Sequence, residues 1–409
     1  MARKMKDSGI EWIGEIPEGW EIKYFVQLFF QVKNKNIGLR EKNLLSLSYG
    51  KIKQKSIETV GGLLPDNFEG YNIIDCNDIV LRLTDLQNDQ HSLRVGLSHE
   101  RGIITSAYCS IRVRGTESPN YLYYYLHTFD IAKGFYGMGS GVRQGLNWDG
   151  LKYIKILLPP QHEQDRISVF LNQKTLEIDS MLSKTISSIE EYKKFKQAVI
   201  TQAVAAQQCS HIKLKYLMNV IVDCPHETPT YSFTGNYYVI RTADQALASL
   251  RRDEDMYRLD TSEYKKRTRR LTLDKDDIVY GRAGERWGLA CIVPKSNKYC
   301  LGQRIMQFRC NTKFLYPKYA MYALNSEPVY LQGVADTIGS TSPHVNISTI
   351  CNYLLPVPAL TEQKEIADYL DAKCAEIDGL IAKKEQLVKE LESYKKSLIY
   401  EVVTGKREV

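Results

Sequence analysis

The segment from Glu163 to Val204 aligns without a gap onto Glu362 to Val403, a constant separation of 199 residues, and this duplication constrains the fold more than any other feature of the chain. Identical pairs include Glu163/Glu362, Gln164/Gln363, Ile167/Ile366, Leu171/Leu370, Lys174/Lys373, Ile178/Ile377, Asp179/Asp378, Lys184/Lys383, Ile200/Ile399 and Val204/Val403. Each copy follows prolines, Pro159-Pro160 in the first and Pro356-Val357-Pro358 in the second, which end a strand-like apolar run before a helix begins. In the second copy apolar residues recur in steps of four and three: Leu370, Cys374, Ile377, Ile381, Val388, Leu391, Leu398 and Val402, interrupted by Lys384 and Lys395. The first copy carries a more polar version through Leu171, Thr175, Ile178, Leu182, Thr185, Ile189, Tyr192, Lys196, Val199 and Ala203. That spacing predicts two helices of roughly 60 Å that pack along a coiled-coil seam.

The regions ahead of the helices are related more weakly. Asp78-Ile79-Val80 corresponds to Asp277-Ile278-Val279 and Asn147 to Asn346, while Tyr121, Tyr124 and Leu126 correspond to Tyr319, Tyr322 and Leu324. Both regions mix strand and helix patterns with frequent glycine, so the expected class is α+β. The organisation predicted is domain, helix, domain, helix: residues 1–160, 161–208, 209–359 and 360–409. The second domain joins the end of one helix to the start of the other. A compact domain keeps its ends close, so the helices should run antiparallel.

Composition narrows the class. Acidic residues, 48 of them, offset most of the 55 basic ones, so the net charge of +7 favours an anionic partner only where the excess is local. Nine cysteines include no Cys-x-x-Cys pair and suggest reduced thiols rather than a zinc site or disulfide framework. Neither a secretory leader nor an apolar run of about 18 residues is present, which points to the cytoplasm and away from membranes.

The order Ser8-Gly9-Ile10-Glu11-Trp12-Ile13-Gly14 to Gly19-Trp20, an Asp-Ile-Val strand in each half, Leu-Pro followed by Glu-Gln before each long helix, and Tyr394-Lys395-Lys396-Ser397-Leu398-Ile399 through Thr404-Gly405-Lys406 resembles the specificity subunit of type I restriction-modification systems. The resemblance spans nearly the whole chain. It implies two target recognition domains joined by two long helices in an antiparallel coiled coil, and a bipartite double-stranded DNA target. It also implies two modification (methyltransferase) subunits carrying S-adenosylmethionine, and restriction subunits using ATP and Mg.

Phosphates are met by Arg and Lys, and base edges by Arg, Asn, Gln or His. The glycine-rich segment 137–147 offers Gly139, Ser140, Arg143, Gln144 and Asn147, and its counterpart offers Gly339, Ser340, His344 and Asn346. The alternative is that these segments are plain connections in which Asn147 and Asn346 cap turns or helix starts. Arg82, Arg282 and Arg286 follow the Asp-Ile-Val strands, where they can face a groove or pair with nearby acids. Gln303 and Arg304 are polar residues in apolar surroundings. Lys265, Lys266, Arg267 and Arg269 form a basic run suited to phosphate, though Asp253, Glu254 and Asp255 lie just upstream. The tyrosine clusters read as scaffold rather than base-stacking residues. Lys196 and Lys395 occupy equivalent seam positions, where they either set helix register or reach out to solvent.

No methyl-donor glycine turn, Asn/Asp-Pro-Pro-aromatic motif, ATP phosphate loop or His-Glu-x-x-His metal motif occurs, so catalysis is expected in partner subunits. Cys224-Pro225-His226-Glu227 reads as a turn. An autonomous two-headed DNA-binding regulator, a coiled-coil scaffold and a single-chain restriction enzyme are the competing readings.

Overall fold

The computed structural model describes residues 3–56, 67–86, 93–138, 145–205, 209–284, 286–337 and 343–409. The chain forms two compact units, Met1–Lys184 with Leu387–Val409, and Thr185–Gln386. Both are α+β, and both are built on one plan.

The first unit holds a four-stranded antiparallel sheet in the order Phe29–Gln31, Cys109–Val113, Ile79–Leu81, Val95–Leu97. In the second unit the order is Met218–Asp223, Ile305–Cys310, Ile278–Gly281, Ala290–Ile292. A helix that begins at a proline packs on the edge strand in each: Pro119–Ile131 on Val95–Leu97, and Pro317–Leu324 on Ala290–Ile292. Proline suits that first helical position because it has no N–H to leave unpaired. A two-stranded ladder then leads to the long helix, Glu21–Tyr24 with Lys155–Leu158 in one unit and Ser210–Lys213 with Leu354–Val357 in the other. The units differ in what is inserted. The first carries the hairpin Leu45–Ser48/Lys51–Gln54 and the pair Asn72–Ile74/Gly102–Ile104. The second carries a three-stranded sheet around Tyr237–Ile240 and the helix Thr261–Arg267.

Three polar locks recur within each unit. The aspartate of the Asp-Ile-Val strand is buried and grips an arginine of the neighbouring strand: Arg112 Nε donates to Asp78 at 2.6 Å, and Arg309 Nε to Asp277 at 2.8 Å. Buried Tyr121 donates to the Leu157 carbonyl at 3.1 Å and Tyr319 to the Pro356 carbonyl at 2.9 Å. Gln164 accepts from Ser118 N and donates to the Pro159 carbonyl, and Gln363 accepts from Tyr316 N and donates to the Pro358 and Phe314 carbonyls. These glutamines are nearly fully buried, so the Glu-Gln motif holds each long helix to the domain ahead of it. Tyr121 and Tyr319 accordingly serve the scaffold.

The long helices are Gln161–Ala205 and Leu360–Val403, and each contributes to both units. In the first unit Ile167, Leu171 and Ile178 join a core with Leu398, Ile399, Val402 and Val403. In the second, Ile200 and Val204 join Ile366, Ala367, Leu370 and Cys374. Early residues of one helix thus meet late residues of the other, which is antiparallel packing. Lys196 and Lys395 do not reach solvent as free charges. Lys196 Nζ, on a side chain 6% exposed, donates to both Asp378 oxygens at 2.8 and 2.9 Å and to the Leu247 carbonyl. Lys395 Nζ donates to Asp179 at 2.5 Å, and Lys51 joins the same carboxylate at 2.9 Å.

Two outcomes test these locks. Gln363→Ala leaves buried backbone groups without partners and is expected to lower stability by about 1–3 kcal/mol, read from the shift of a denaturant midpoint. At Asp179, burial pushes the carboxyl up, but the hydrogen bonds from Lys395 and Lys51 outweigh it and hold the group below its ordinary value. A depressed folded pKa stabilises above the ordinary aspartate value near ~4, and that contribution disappears as pH falls through the depressed value. Thermal unfolding of Asp179→Asn measured from about pH 6 to about pH 2 should therefore show a shallower acid loss than the parent chain.

Candidate nucleic-acid interface

In the second unit three strand ends meet because of ladder register: Asp223 pairs with Met306, and Gly281 with Ile305. Arg282 leaves the central strand there and donates Nε and Nη2 to the two oxygens of Asp223 at 3.0 and 3.1 Å. His226 Nε2 lies 3.2 Å from the same carboxylate. Arg304 is exposed and holds a left-handed backbone at φ 71°, and its N–H donates to Cys224 Sγ at 3.1 Å while its carbonyl accepts from Arg282 N. Such a conformation is rare without glycine and persists only where neighbouring contacts hold it. Gln303 donates to Thr228 Oγ1 at 3.0 Å. The loop ahead of the second long helix is tied to the same place: Ala283 bridges His344, Gly284 N donates to the Pro343 carbonyl, and Val345 N to the Arg282 carbonyl. Arg282, Gln303, Arg304 and His344, scattered in sequence, are therefore neighbours. Arg286 is exposed close by, with Nη1 on the Ala243 and Gln245 carbonyls at 3.2 Å. Asn346 is exposed and begins the helix Ile347–Cys351 without a side-chain cap.

The basic run borders this cluster. Lys265 and Arg269 are exposed, and Lys266 is exposed but pairs with Glu227 at 2.8 Å. Arg267 departs from the expectation of a phosphate contact. Its side chain is 1% exposed, and its guanidinium is committed to the Leu301, Glu227 and Pro225 carbonyls at 3.0–3.4 Å. It anchors segment 224–228 to the basic helix and leaves Lys265, Lys266 and Arg269 to carry the outward charge. Asp253, Glu254 and Asp255 pair with Lys295 and Arg252 rather than with this run.

The first unit presents the equivalent strand exit with different chemistry. Leu146 N donates to the Leu83 carbonyl at 2.8 Å, as Val345 N does to Arg282. Leu83 is buried, and Arg82 beside it is half-buried with its N–H on the Arg94 carbonyl. Asn147 is exposed and caps the helix Trp148–Leu151, accepting from Gly150 N at 3.1 Å. Gly139, Ser140, Arg143, Gln144, Gly339 and Ser340 lie outside the described residues.

Sequence reading overlooked Asp223 and took His226 only as part of a turn. The signal available was a strand, Val220-Ile221-Val222, ending in an acid ahead of Cys224. Among the described residues, Asp223, Cys224 and His226 also form a group whose potential metal-ligand atoms lie within 4.8 Å of one another. Arg282 occupies both Asp223 oxygens, and burial, followed by the nearby Asp223 charge, pushes the Cys224 thiol up and keeps it protonated. The group therefore works as a hydrogen-bonded cluster rather than a ready cation site.

Residues 224–390 match the family model described as the Type I restriction modification DNA specificity domain. The type I restriction enzyme EcoBI specificity subunit of Escherichia coli is 29% identical over 132 residues, 32% of this chain and 27% of that protein. The putative type I restriction enzyme MjaX specificity subunit of Methanocaldococcus jannaschii is 22% identical over an alignment covering 96% of this chain and 95% of that protein. A solved chain from a structure described as the basis of "complex assembly and conformational transition of the type I R-M system" has the same fold, with a TM-score of 0.70 at 15% identity over 96% of this chain and 99% of that one. No helix among the described residues is long and apolar enough to cross a membrane.

The two kinds of arginine in the basic run separate experimentally. Arg267→Ala, which strands three carbonyls and Glu263, is expected to cost about 2–3 kcal/mol in denaturant unfolding. Arg269→Ala, on an exposed side chain, should stay within about 0.5 kcal/mol of the parent.

Proposed function

We infer that this chain, which belongs to the specificity subunits of type I restriction-modification systems, is the non-catalytic subunit that reads a bipartite duplex DNA target, one half-site for each α+β unit. In this reading residues 1–160 and 209–359 are the target recognition domains, and 161–208 and 360–409 are the spacer helices that dock two modification subunits. The partner methyltransferase carries S-adenosylmethionine, and restriction subunits supply ATP- and Mg-dependent translocation and cleavage. The assembly works in the cytoplasm.

The observation that carries this reading is a repeated scaffold with unrepeated strand exits. Sheet order, the aspartate–arginine lock, the tyrosine lock and the glutamine lock are the same in both units, while the inserted segments and exit side chains differ. Two similar bodies with different reading chemistry suit a target made of two different half-sequences. Base edges are met by Arg82, Asn147, Arg282, Gln303, Arg304, His344 and Asn346, with Arg143 and Gln144 from the glycine-rich loop. Lys265, Lys266, Arg269 and Arg286 meet phosphates, which position a duplex without reading it.

The test is methylation mapping in cells carrying the neighbouring methyltransferase with and without this chain. The expected result is a split methylated motif that vanishes when the chain is omitted. A motif that persists without the chain, or no chain-dependent methylation from an assembled complex, overturns the reading.

A further inference from the structure

We propose that Arg282, held by Asp223, is the side chain that fixes a guanine in the half-site read by the second unit, and that the first unit has no such reader at the equivalent position. The proposal rests on the DNA-recognition reading above and adds a residue, a base and an asymmetry to it.

Ladder register gives the equivalence. In the first unit Ile111 pairs with both Gln31 and Ile79, and in the second Phe308 pairs with both Ile221 and Ile278. Moving outward along the same strands places Lys33 where the second unit has Asp223, and Leu83 where it has Arg282. The loop bonds from Leu146 to Leu83 and from Val345 to Arg282 fix the same match independently. One step inward the scaffold side chains agree, Asp78 with Asp277 and Arg112 with Arg309. The backbone positions are therefore equivalent, and only the outward chemistry has changed, from an ion pair to a lysine and a buried leucine.

The pair has the geometry of a prepared reader. A guanidinium has five N–H donors in a planar fork. Asp223 takes Nε and one hydrogen of Nη2, which leaves Nη1 and the other Nη2 hydrogen without a partner among the described residues. One Nη1 hydrogen and the free Nη2 hydrogen lie along one edge and match the O6 and N7 acceptors that guanine presents in the major groove. The Arg282 side chain is 16% exposed, so part of it is reachable from solvent. Holding the fork before contact reduces the side-chain entropy lost on binding. His226 on the same carboxylate steadies Asp223, which acts as the positioning residue. A buried structural ion pair would stabilise the fold through the same contact, but removing it would not change which base is accepted.

The experiment uses the chain assembled with its methyltransferase, with motif mapping as the first readout. Arg282→Ala is expected to accept other bases at one G·C position of one half-site, with the other half-site unchanged, a loss of discrimination of about tenfold to a hundredfold. Asp223→Asn should relax the same position to a smaller degree. A duplex carrying 7-deazaguanine there, which lacks the N7 acceptor, should bind the parent complex about tenfold more weakly than the natural duplex and the Arg282→Ala complex equally to both. An unchanged motif, or relaxation spread evenly over all positions, overturns the proposal. Should Arg282→Ala fail to assemble, Arg282→Lys keeps the charge and loses the fork, and an unchanged motif with that variant overturns the proposal equally. A parent chain that directs no motif at all would instead sink the recognition reading.

Discussion

A lysine in an apolar helix seam has to find a carboxylate, and in this protein that requirement sets how the two long helices can pair. An ammonium group removed from water is strongly destabilised unless it is paired and hydrogen-bonded. Lys196 meets Asp378 and Lys395 meets Asp179, and these four residues are two copies of one Asp and one Lys. A parallel pairing in repeat register would set lysine beside lysine and aspartate beside aspartate. Antiparallel pairing instead lets each lysine meet the aspartate of the other helix, so the duplicated sequence satisfies itself. The apolar seam supplies the attraction and the charged pairs select the register.

From that pairing the rest of each unit is built inward by polar locks at buried positions. Gln164 and Gln363 tie the long helices to the preceding loops, and Tyr121 and Tyr319 tie the short helices to the strand before each proline. In the first unit Glu163 also accepts from Trp20 and a bidentate Arg3, and Tyr400 donates to the Trp12 carbonyl, so the N-terminal Gly-Trp segment closes over the ends of both long helices. Gly405 has a φ of +73° against Pro17 and Trp20, where a Cβ would come within 2.4 Å of the proline ring. These contacts give a chemical reason for the motifs on which the family resemblance rests.

The candidate interface was legible only in part, and the reason is directional. Helix spacing places Arg267 three residues after Tyr264, on the face that turns inward, yet a run of basic residues reads in sequence as uniformly exposed. Arg282, Gln303, Arg304 and His344 were identifiable by side-chain chemistry, but their proximity depends on three strands and a loop ending at one place. Asp223 was overlooked because an acid at a strand end gives no sign of the arginine it will hold 59 residues later.

The duplicated seam, the α+β class and the antiparallel helix pair were determined by the sequence alone, because periodicity and repeat spacing are local properties that survive without coordinates. Tertiary structure decided which charges are spent and which remain to act. Arg267 is consumed by carbonyls, the seam lysines by aspartates, and Arg309 by Asp277, whereas Arg282 keeps an outward edge. The physical reason is that a charged side chain's role is set by what it can reach once water is removed, and reach across strands is fixed by register rather than by neighbours in the chain.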